Sequence, residues 1–197
     1  KPPPQYFPNN VRMNKSINTN IDEILHKGTT PLDPSRFKEL GDQKDVLVID
    51  TRSKEAYSGE GTVPGAWYIG IDGSFAPWVG TLVSDINQKI IFITDDELRV
   101  HEIVTRFSRV GYDNTIGYLD GGIANWKSQG YQLDFIESIS ATKFVAMLTE
   151  EKIEKPIDVR KESEYFSEHV VGVENFPLDD IHSNFGQINP EKNYFLH

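Results

Sequence analysis

The apolar positions of this chain fall into short unbroken runs that alternate with helical spacing. Ile90-Ile91-Phe92-Ile93 is a mostly β-branched run and reads as a strand buried on both faces. Beyond it Val100, Ile103, Val104 and Phe107 recur at i, i+3, i+4 and i+7, which predicts a helix with one apolar face. Gly111 stands where a left-handed residue would end that helix. Val46-Leu47-Val48-Ile49-Asp50 and Thr115-Ile116-Gly117-Tyr118-Leu119 predict two further strands. Gly121-Gly122 opens a helix that runs through Trp126 and closes at Gly130. Two short helices precede these: one at Ile21, Ile24 and Leu25, capped by Asn20 and ending at Gly28, the other from Pro34 to Gly41 with Phe37 and Leu40 inward. Between the first two strands Pro64, Gly65, Gly73, Pro77 and Gly80 suit loops more than regular structure. Buried strands separated by amphipathic helices specify an α/β fold, a parallel sheet flanked by helices.

The same pattern divides the chain. Residues 1–20 hold four prolines in the first eight positions and then Asn-rich sequence, an extended linker of polyproline character. A first α/β domain spans about 30–137, and the composition breaks near Ile136 to Ser140. Phe144, Val145 and Leu148 then read as a helix, followed by a strand at Pro156-Ile157-Asp158-Val159. From there an internal repeat is visible. Asp50-Thr51-Arg52-Ser53-Lys54-Glu55-Ala56-Tyr57 returns as Asp158-Val159-Arg160-Lys161-Glu162-Ser163-Glu164-Tyr165. Gly61-Thr62-Val63-Pro64-Gly65-Ala66 returns as Glu168-His169-Val170-Val171-Gly172-Val173. Asn193-Tyr194-Phe195-Leu196-His197 matches the strand Lys89 to Ile93. Residues 139–197 therefore read as the first half of a second copy, with the position equivalent to Thr94 expected just after His197. Half a domain leaves strand edges unpaired, so the polypeptide is expected to continue. A start at Lys1 without an initiator Met points the same way, to a fragment or a processed product.

Composition narrows the chemistry. The 197 residues are 38% hydrophobic and 25% charged, ordinary for a soluble globular protein, and a cytoplasmic location is expected. No run of 18 apolar residues is present, so no membrane-spanning helix is predicted. A formal charge of −10 argues against a nucleic-acid partner, which requires clustered cations. There is no cysteine, which removes disulfides, thiolate metal sites and cysteine nucleophiles from these residues.

A strand that runs through a tight loop into a helix N-terminus is a ready-made anion cradle, and many α/β enzymes place a nucleophile there. Here that loop reads Thr94-Asp95-Asp96-Glu97-Leu98-Arg99. Thr94, Asp95 and Asp96 offer oxygens to the free N–H groups of the helix start. The spacing Asp-x-Arg-x-x-x-x-Tyr resembles the rhodanese family of sulfurtransferases, as do the turn at Gly61 to Ala66, set against the family's Gly-His-Ile-x-Gly-Ala, and the strand that leads into a six-residue loop. Leu119-Asp120-Gly121-Gly122-Ile123-Ala124-Asn125-Trp126 through Gly130 is the most family-specific piece, and together the motifs cover about residues 32–197. The resemblance implies a sulfur-handling enzyme acting on a small persulfide- or thiosulfate-type substrate. It also implies a loop that runs from a catalytic Cys to an Arg. Thr94 occupies the Cys position, Arg99 keeps the Arg position, and Thr62 stands where the family often has His. A threonine hydroxyl without an adjacent base is a poor nucleophile, and three carboxylates would repel an anionic sulfur donor. The first copy is expected to be catalytically silent, its loop vestigial, and the thiolate of the second copy to lie beyond this chain. The segment Lys1 to Val11 is similar to the tail that joins a metallo-β-lactamase-fold domain to rhodanese domains in fusion proteins. That likeness implies iron or zinc in a preceding domain of the parent, with none in this chain. Two rivals stand beside this reading: a tandem thiosulfate sulfurtransferase without a metal domain, and a non-catalytic module that binds an anion or a protein.

Asp50 with Arg52, and Asp158 with Arg160, stand at strand ends with both side chains on one face. They read as structural, loop-supporting ion pairs more than as tuning groups. His26, His101, His169, His182 and His197 form no metal motif; His169 reads as a loop-packing residue, and His197 would neighbour the second copy's nucleophile. Trp67, Tyr68, Phe75 and Trp78 cluster in sequence and, if exposed, would mark a docking surface for a neighbouring domain. Neighbouring domains of the same polypeptide are the expected partners, with a homo-oligomer possible and no membrane contact.

Overall fold

The computed structural model describes residues 21–150, 156–189 and 194–196, which form two compact units dividing between Glu137 and Ser138. The linker at 1–20, Asn20 as a cap, and His197 lie outside the described residues.

The first unit is built on five strands: β1 (Pro31–Leu32), β2 (Val46–Asp50), β3 (Trp67–Tyr68), β4 (Lys89–Ile93) and β5 (Thr115–Leu119). They lie in the order β1-β5-β4-β2-β3, with every pairing parallel. β4 is the middle strand, in register with β2 from Val46↔Lys89 to Asp50↔Ile93. Parallel strands covered on both faces need apolar side chains at every position, which is why β4 is an unbroken apolar run. Alternation then splits that run between two cores. Ile90 and Phe92 face α1 (Ile21–Gly28), α4 (Phe75–Leu82) and α5 (Val100–Arg109), packing with Ile24, Phe75, Val79, Ile103, Val104 and Phe107. Ile91 and Ile93 face α2 (Pro34–Gly41) and α6 (Gly122–Ser128), packing with Phe37, Leu40, Ile123 and Trp126. The Phe92 ring lies 6.2 Å from Phe107 and 6.0 Å from Tyr118, and Phe37 meets Trp126 edge-on at 6.2 Å. Each fully buried β4 side chain contributes roughly 1.5–3 kcal/mol.

The helices begin and end for local reasons. The Asp33 carboxylate accepts from the amides of Ser35 and Arg36, with Pro34 in the first turn of α2. Ser53 caps α3 (Lys54–Glu60) by accepting from the Ala56 amide, and Gly111, at φ +92, ends α5. Gly117 is required in β5, because a side chain there would meet the Thr30 carbonyl at 2.7 Å and Leu32 at 2.8 Å.

Two expectations are corrected. The segment containing Pro77 and Gly80 is helix α4 rather than loop. Pro77 sits in its first turn, where a missing N–H costs nothing, and Val79 and Gly80 are buried. Residues 21–28, outside the expected domain start at about 30, also belong to the first core. Ile24 is buried there, and Gly28 packs so closely on Val104 that an added carbon would lie 2.6 Å away.

The second unit contains α7 (Ala141–Thr149), β6 (Pro156–Asp158), α8 (Glu162–Ser167), β7 (Glu174–Asn175), α9 (Ile181–Asn184) and β8 (Phe195–Leu196). Its sheet is parallel, in the order β7-β6-β8, and its core is small, centred on Phe144 and Val173. Val171, Phe166, Phe185 and Leu196 are exposed.

Candidate functional site

β2 hands the chain to β3 on one side of the sheet, whereas the neighbouring β4 hands it to β5 on the other. The loops after β2 and β4 therefore part at the carboxyl end of the strands, the crevice where open α/β sheets bind ligands. The loop Thr94 to Arg99 lies at that switch point, and the other loops of this end are tied to it. The Thr51 amide and hydroxyl both donate to the Ile93 carbonyl, at 3.0 and 2.7 Å, fastening the β2 loop. The Gly121 amide donates to Glu97 Oε1 at 3.2 Å, fastening the β5 loop. Arg99 donates to both carboxylate oxygens of Asp72, at 2.9 and 2.7 Å, fastening the loop after β3. Gly122, at φ +56, is approached by the Thr94 carbonyl, which an added carbon would meet at 2.9 Å.

Within the loop the polar groups are turned on one another. The Thr94 hydroxyl is buried, accepts from the Asp96 amide and donates to the Asp96 carbonyl, both at 3.2 Å. Both partners are backbone atoms, so neither can take its proton. The Asp96 carboxylate accepts from the Leu98 amide at 3.0 Å, and the Asp96 carbonyl accepts from the Arg99 amide at 3.0 Å. Three amides that could face an anion thus donate inside the loop, as capping of a short helix at Glu97–Arg99 requires. Asp95, Asp96 and Glu97 are exposed, and Leu98 is 93% exposed. Arg99 also donates to Glu102, which in turn pairs with Arg106 at 2.6 Å. Hydrogen bonds from Arg99 hold the Asp72 and Glu102 carboxyls below their ordinary range, and the same bonds push the guanidinium further up. Glu102 is three residues from Arg99 and legible as a helix neighbour. Asp72 is 27 residues away and carries no sequence signal.

Behind this loop Asp50 and Arg52 form a buried clasp. Arg52 Nε and Nη2 donate to the Asp50 carboxylate at 3.0 and 2.8 Å, and Nη2 also donates to the Gly61 carbonyl at 2.6 Å. The Thr62 hydroxyl donates to Asp50 Oδ2 at 2.7 Å, a partner that sequence reading missed.

In the second unit the clasp recurs. Arg160 Nη2 donates to Asp158 Oδ2 at 2.6 Å and to the Glu168 carbonyl at 2.9 Å, with Glu168 aligned to Gly61 in the repeat. The Phe176 and Leu178 amides donate to the Asp158 and Val159 carbonyls, as the Ile69 and Ile71 amides do to Asp50 and Thr51. Arg160 differs in being one-third exposed, and the hydrogen bond to Asp158 raises its pKa. His169 is exposed, its ring stacked 3.9 Å from Tyr165 and its Nδ1 2.8 Å from the Tyr165 carbonyl.

Of the four clustered aromatics, Phe75 is buried and Trp78 packs against the same core. Trp67 and Tyr68 are exposed. Among the described residues no group of three His, Asp or Glu is placed to hold a metal ion, and no helix is long and apolar enough to cross a membrane.

Residues 33–129 match the model of the Rhodanese-like domain. The match lies within the first unit and covers 97 of the 197 residues. The matched stretch runs from the cap of α2 to the end of α6 and includes the clasp, the 94–99 loop and the glycine pair that seats it. Solved structures with similarity to the chain include a thiosulfate sulfurtransferase from Pseudomonas aeruginosa, at 18% identity and a TM-score of 0.46, covering 83% of this chain and 37% of that one. SseA from Escherichia coli, described among 3-mercaptopyruvate sulfotransferases, is 16% identical with a TM-score of 0.46, covering 85% and 87%. Wild-type EanB is 20% identical with a TM-score of 0.47, covering 77% and 41%. The chain thus spans about two fifths of the Pseudomonas enzyme and of EanB. No curated protein matches the sequence. Within the matched stretch the loop at the switch point carries Thr94 at the position where the family resemblance implies a nucleophile.

Proposed function

We propose that this chain is the rhodanese region of a sulfur-handling enzyme and that its first rhodanese-like domain is a scaffold rather than a sulfur carrier. The carrying observation is the loop after β4. Thr94 is bonded only to backbone atoms of Asp96, the amides of Asp96, Leu98 and Arg99 donate inside the loop, and Arg99 is engaged by Asp72 and Glu102. A sulfur carrier needs a thiolate and amides free to stabilise it; this loop has no thiol, and three of its amides are already engaged. The second unit is read as part of a second copy of the same fold, supported by the repeated Asp–Arg clasp and the parallel β7-β6-β8 order. Leu196, on the edge strand β8, is exposed. The parent is read as a fusion with a metallo-β-lactamase-fold domain that handles persulfides, on the strength of the Lys1 to Val11 segment.

The test is sulfur transfer to cyanide by the 197-residue chain, from thiosulfate and from glutathione persulfide, followed as thiocyanate. No turnover above the protein-free rate is expected. Turnover abolished by Thr94→Ala would overturn the scaffold reading.

A further inference from the structure

Two tyrosines of the first unit lie ring against ring at its surface. Tyr57 of α3 and Tyr68 of β3 have centroids 4.6 Å apart, with their planes inclined at 34°. That spacing is near the short end for aromatic pairs, so ring carbons of the two side chains are in van der Waals contact. Tyr68 is 37% exposed, and Tyr57 is partly exposed. Gly70 leaves room for the Tyr68 ring, since an added carbon would lie 2.6 Å from its hydroxyl and 3.2 Å from Cζ.

Other tyrosines are placed differently. Tyr112 is buried with its hydroxyl bonded to the Val83 carbonyl, Tyr118 stacks on Phe92, and Tyr131 packs on Trp126. The repeat supplies an internal comparison. Tyr165 takes the place of Tyr57, but the register that sets Tyr68 against Asp50 sets Asn175 against Asp158. Tyr165 stacks on His169 instead, and its hydroxyl donates to the Val173 carbonyl. The repeated motif therefore does not require a second tyrosine; the pair is particular to the first unit.

Touching phenols have a reaction that isolated ones lack. A phenol that gives up an electron and its hydroxyl proton becomes a radical with spin on the carbons ortho to oxygen, and two such carbons in contact couple. A thiol nearby would return the hydrogen atom first, but the 197 residues hold no cysteine.

We propose that Tyr57 and Tyr68 form an oxidative crosslinking site, which a peroxide-driven one-electron oxidant joins into a dityrosine. Each ring loses one electron and its hydroxyl proton, a bond forms between the Cε carbons, and the hydrogen on each coupled carbon moves to the oxygen. The net loss is two hydrogens, which one hydrogen peroxide takes up as two waters. The bond closes a loop over residues 57–68, whose Gly61 carbonyl and Thr62 hydroxyl hold the Asp50–Arg52 clasp. It ties β3 to α3 and stabilises the clasp loop by restricting the unfolded chain. The proposal is independent of the scaffold reading: neither tyrosine belongs to the 94–99 loop, and sulfur transfer does not report on it.

The experiment treats the full chain, at low concentration, with hydrogen peroxide and a haem peroxidase. Dityrosine fluorescence is expected in the monomer band of a denaturing gel. Cleavage after glutamate separates the two tyrosines, so mass spectrometry should find residues 56–60 joined to residues 61–97, less two hydrogens. Tyr57→Phe and Tyr68→Phe should each abolish that product while keeping the ring contact and the emission of Trp78 and Trp126. After oxidation and removal of dimers, the wild-type chain should unfold at higher urea than Tyr68→Phe treated alike. Monomer without the joined peptides, fluorescence confined to dimers, a product that survives Tyr68→Phe, or equal urea midpoints would overturn the proposal.

Discussion

Removing Arg52 from its clasp isolates the cost of a buried carboxylate. Asp50 and Arg52 are both almost wholly buried. Arg52→Ala deletes the bonds from Nε and Nη2, at 3.0 and 2.8 Å, and the bond to the Gly61 carbonyl at 2.6 Å. Asp50 keeps only the Arg52 backbone amide at 3.1 Å and the Thr62 hydroxyl at 2.7 Å. Breaking a buried pair in this way costs about 3–5 kcal/mol, a third or more of the stability of many domains. Trp67, Trp78 and Trp126 all lie in the first unit, so urea unfolding followed by tryptophan fluorescence reads that unit alone. The midpoint should fall sharply with little change in slope. Asp50→Asn/Arg52→Met, which removes both charges, should recover most of the loss. Arg160→Ala removes the equivalent, partly exposed pair of the second unit and should leave the fluorescence midpoint where it was. A loss below about 1 kcal/mol for Arg52→Ala would refute the reasoning, since it would mean that the pair behaves as if at the surface.

Two further perturbations follow from single groups. The Thr115 hydroxyl is buried without a hydrogen-bond partner, so Thr115→Val should raise the same urea midpoint by the equivalent of about 1 kcal/mol. A loss instead would show that the hydroxyl is satisfied in solution by a buried water. Arg99 holds the carboxyls of Asp72 and Glu102 below their ordinary values of 3.8 and 4.5. A depressed carboxyl stabilises the fold above its unfolded pKa and loses that contribution as pH falls through its folded pKa. Arg99→Gln should therefore cost a few tenths to about 1 kcal/mol, constant from pH 6 to 8, because these carboxylates are largely exposed. Melting curves should show the difference between wild type and variant shrinking below about pH 4; a gap that widens there would refute the assignment.

The sheet was legible because β2, β4 and β5 are short apolar runs that can satisfy a parallel strand buried on both faces and little else. Their helices were legible from spacing and from caps such as Asp33 and glycines such as Gly111. Helix α4 was not, because its proline and glycine are the local marks of a loop, and only burial of Phe75, Val79 and Gly80 against the core overrides them. Strands β1 and β3 are two residues each, too short for any period, and exist because a neighbour pairs with them.

The candidate site divides along the same line. Sequence by itself determined which atoms are present: no thiol anywhere, a threonine where the resemblance implies a nucleophile, and three carboxylates beside it. It also determined the loop's own closure, since Thr94 and Asp96 cap amides two residues away. The tertiary structure decided where Arg99 points and which loops meet. Asp72, Gly121 and Thr51 are brought to the 94–99 loop by strand order, from 27, 24 and 42 residues away. Local chemistry is written in neighbouring residues and can be read from them; partners across the switch point are fixed only when the sheet assembles and the carboxyl ends of its strands come together.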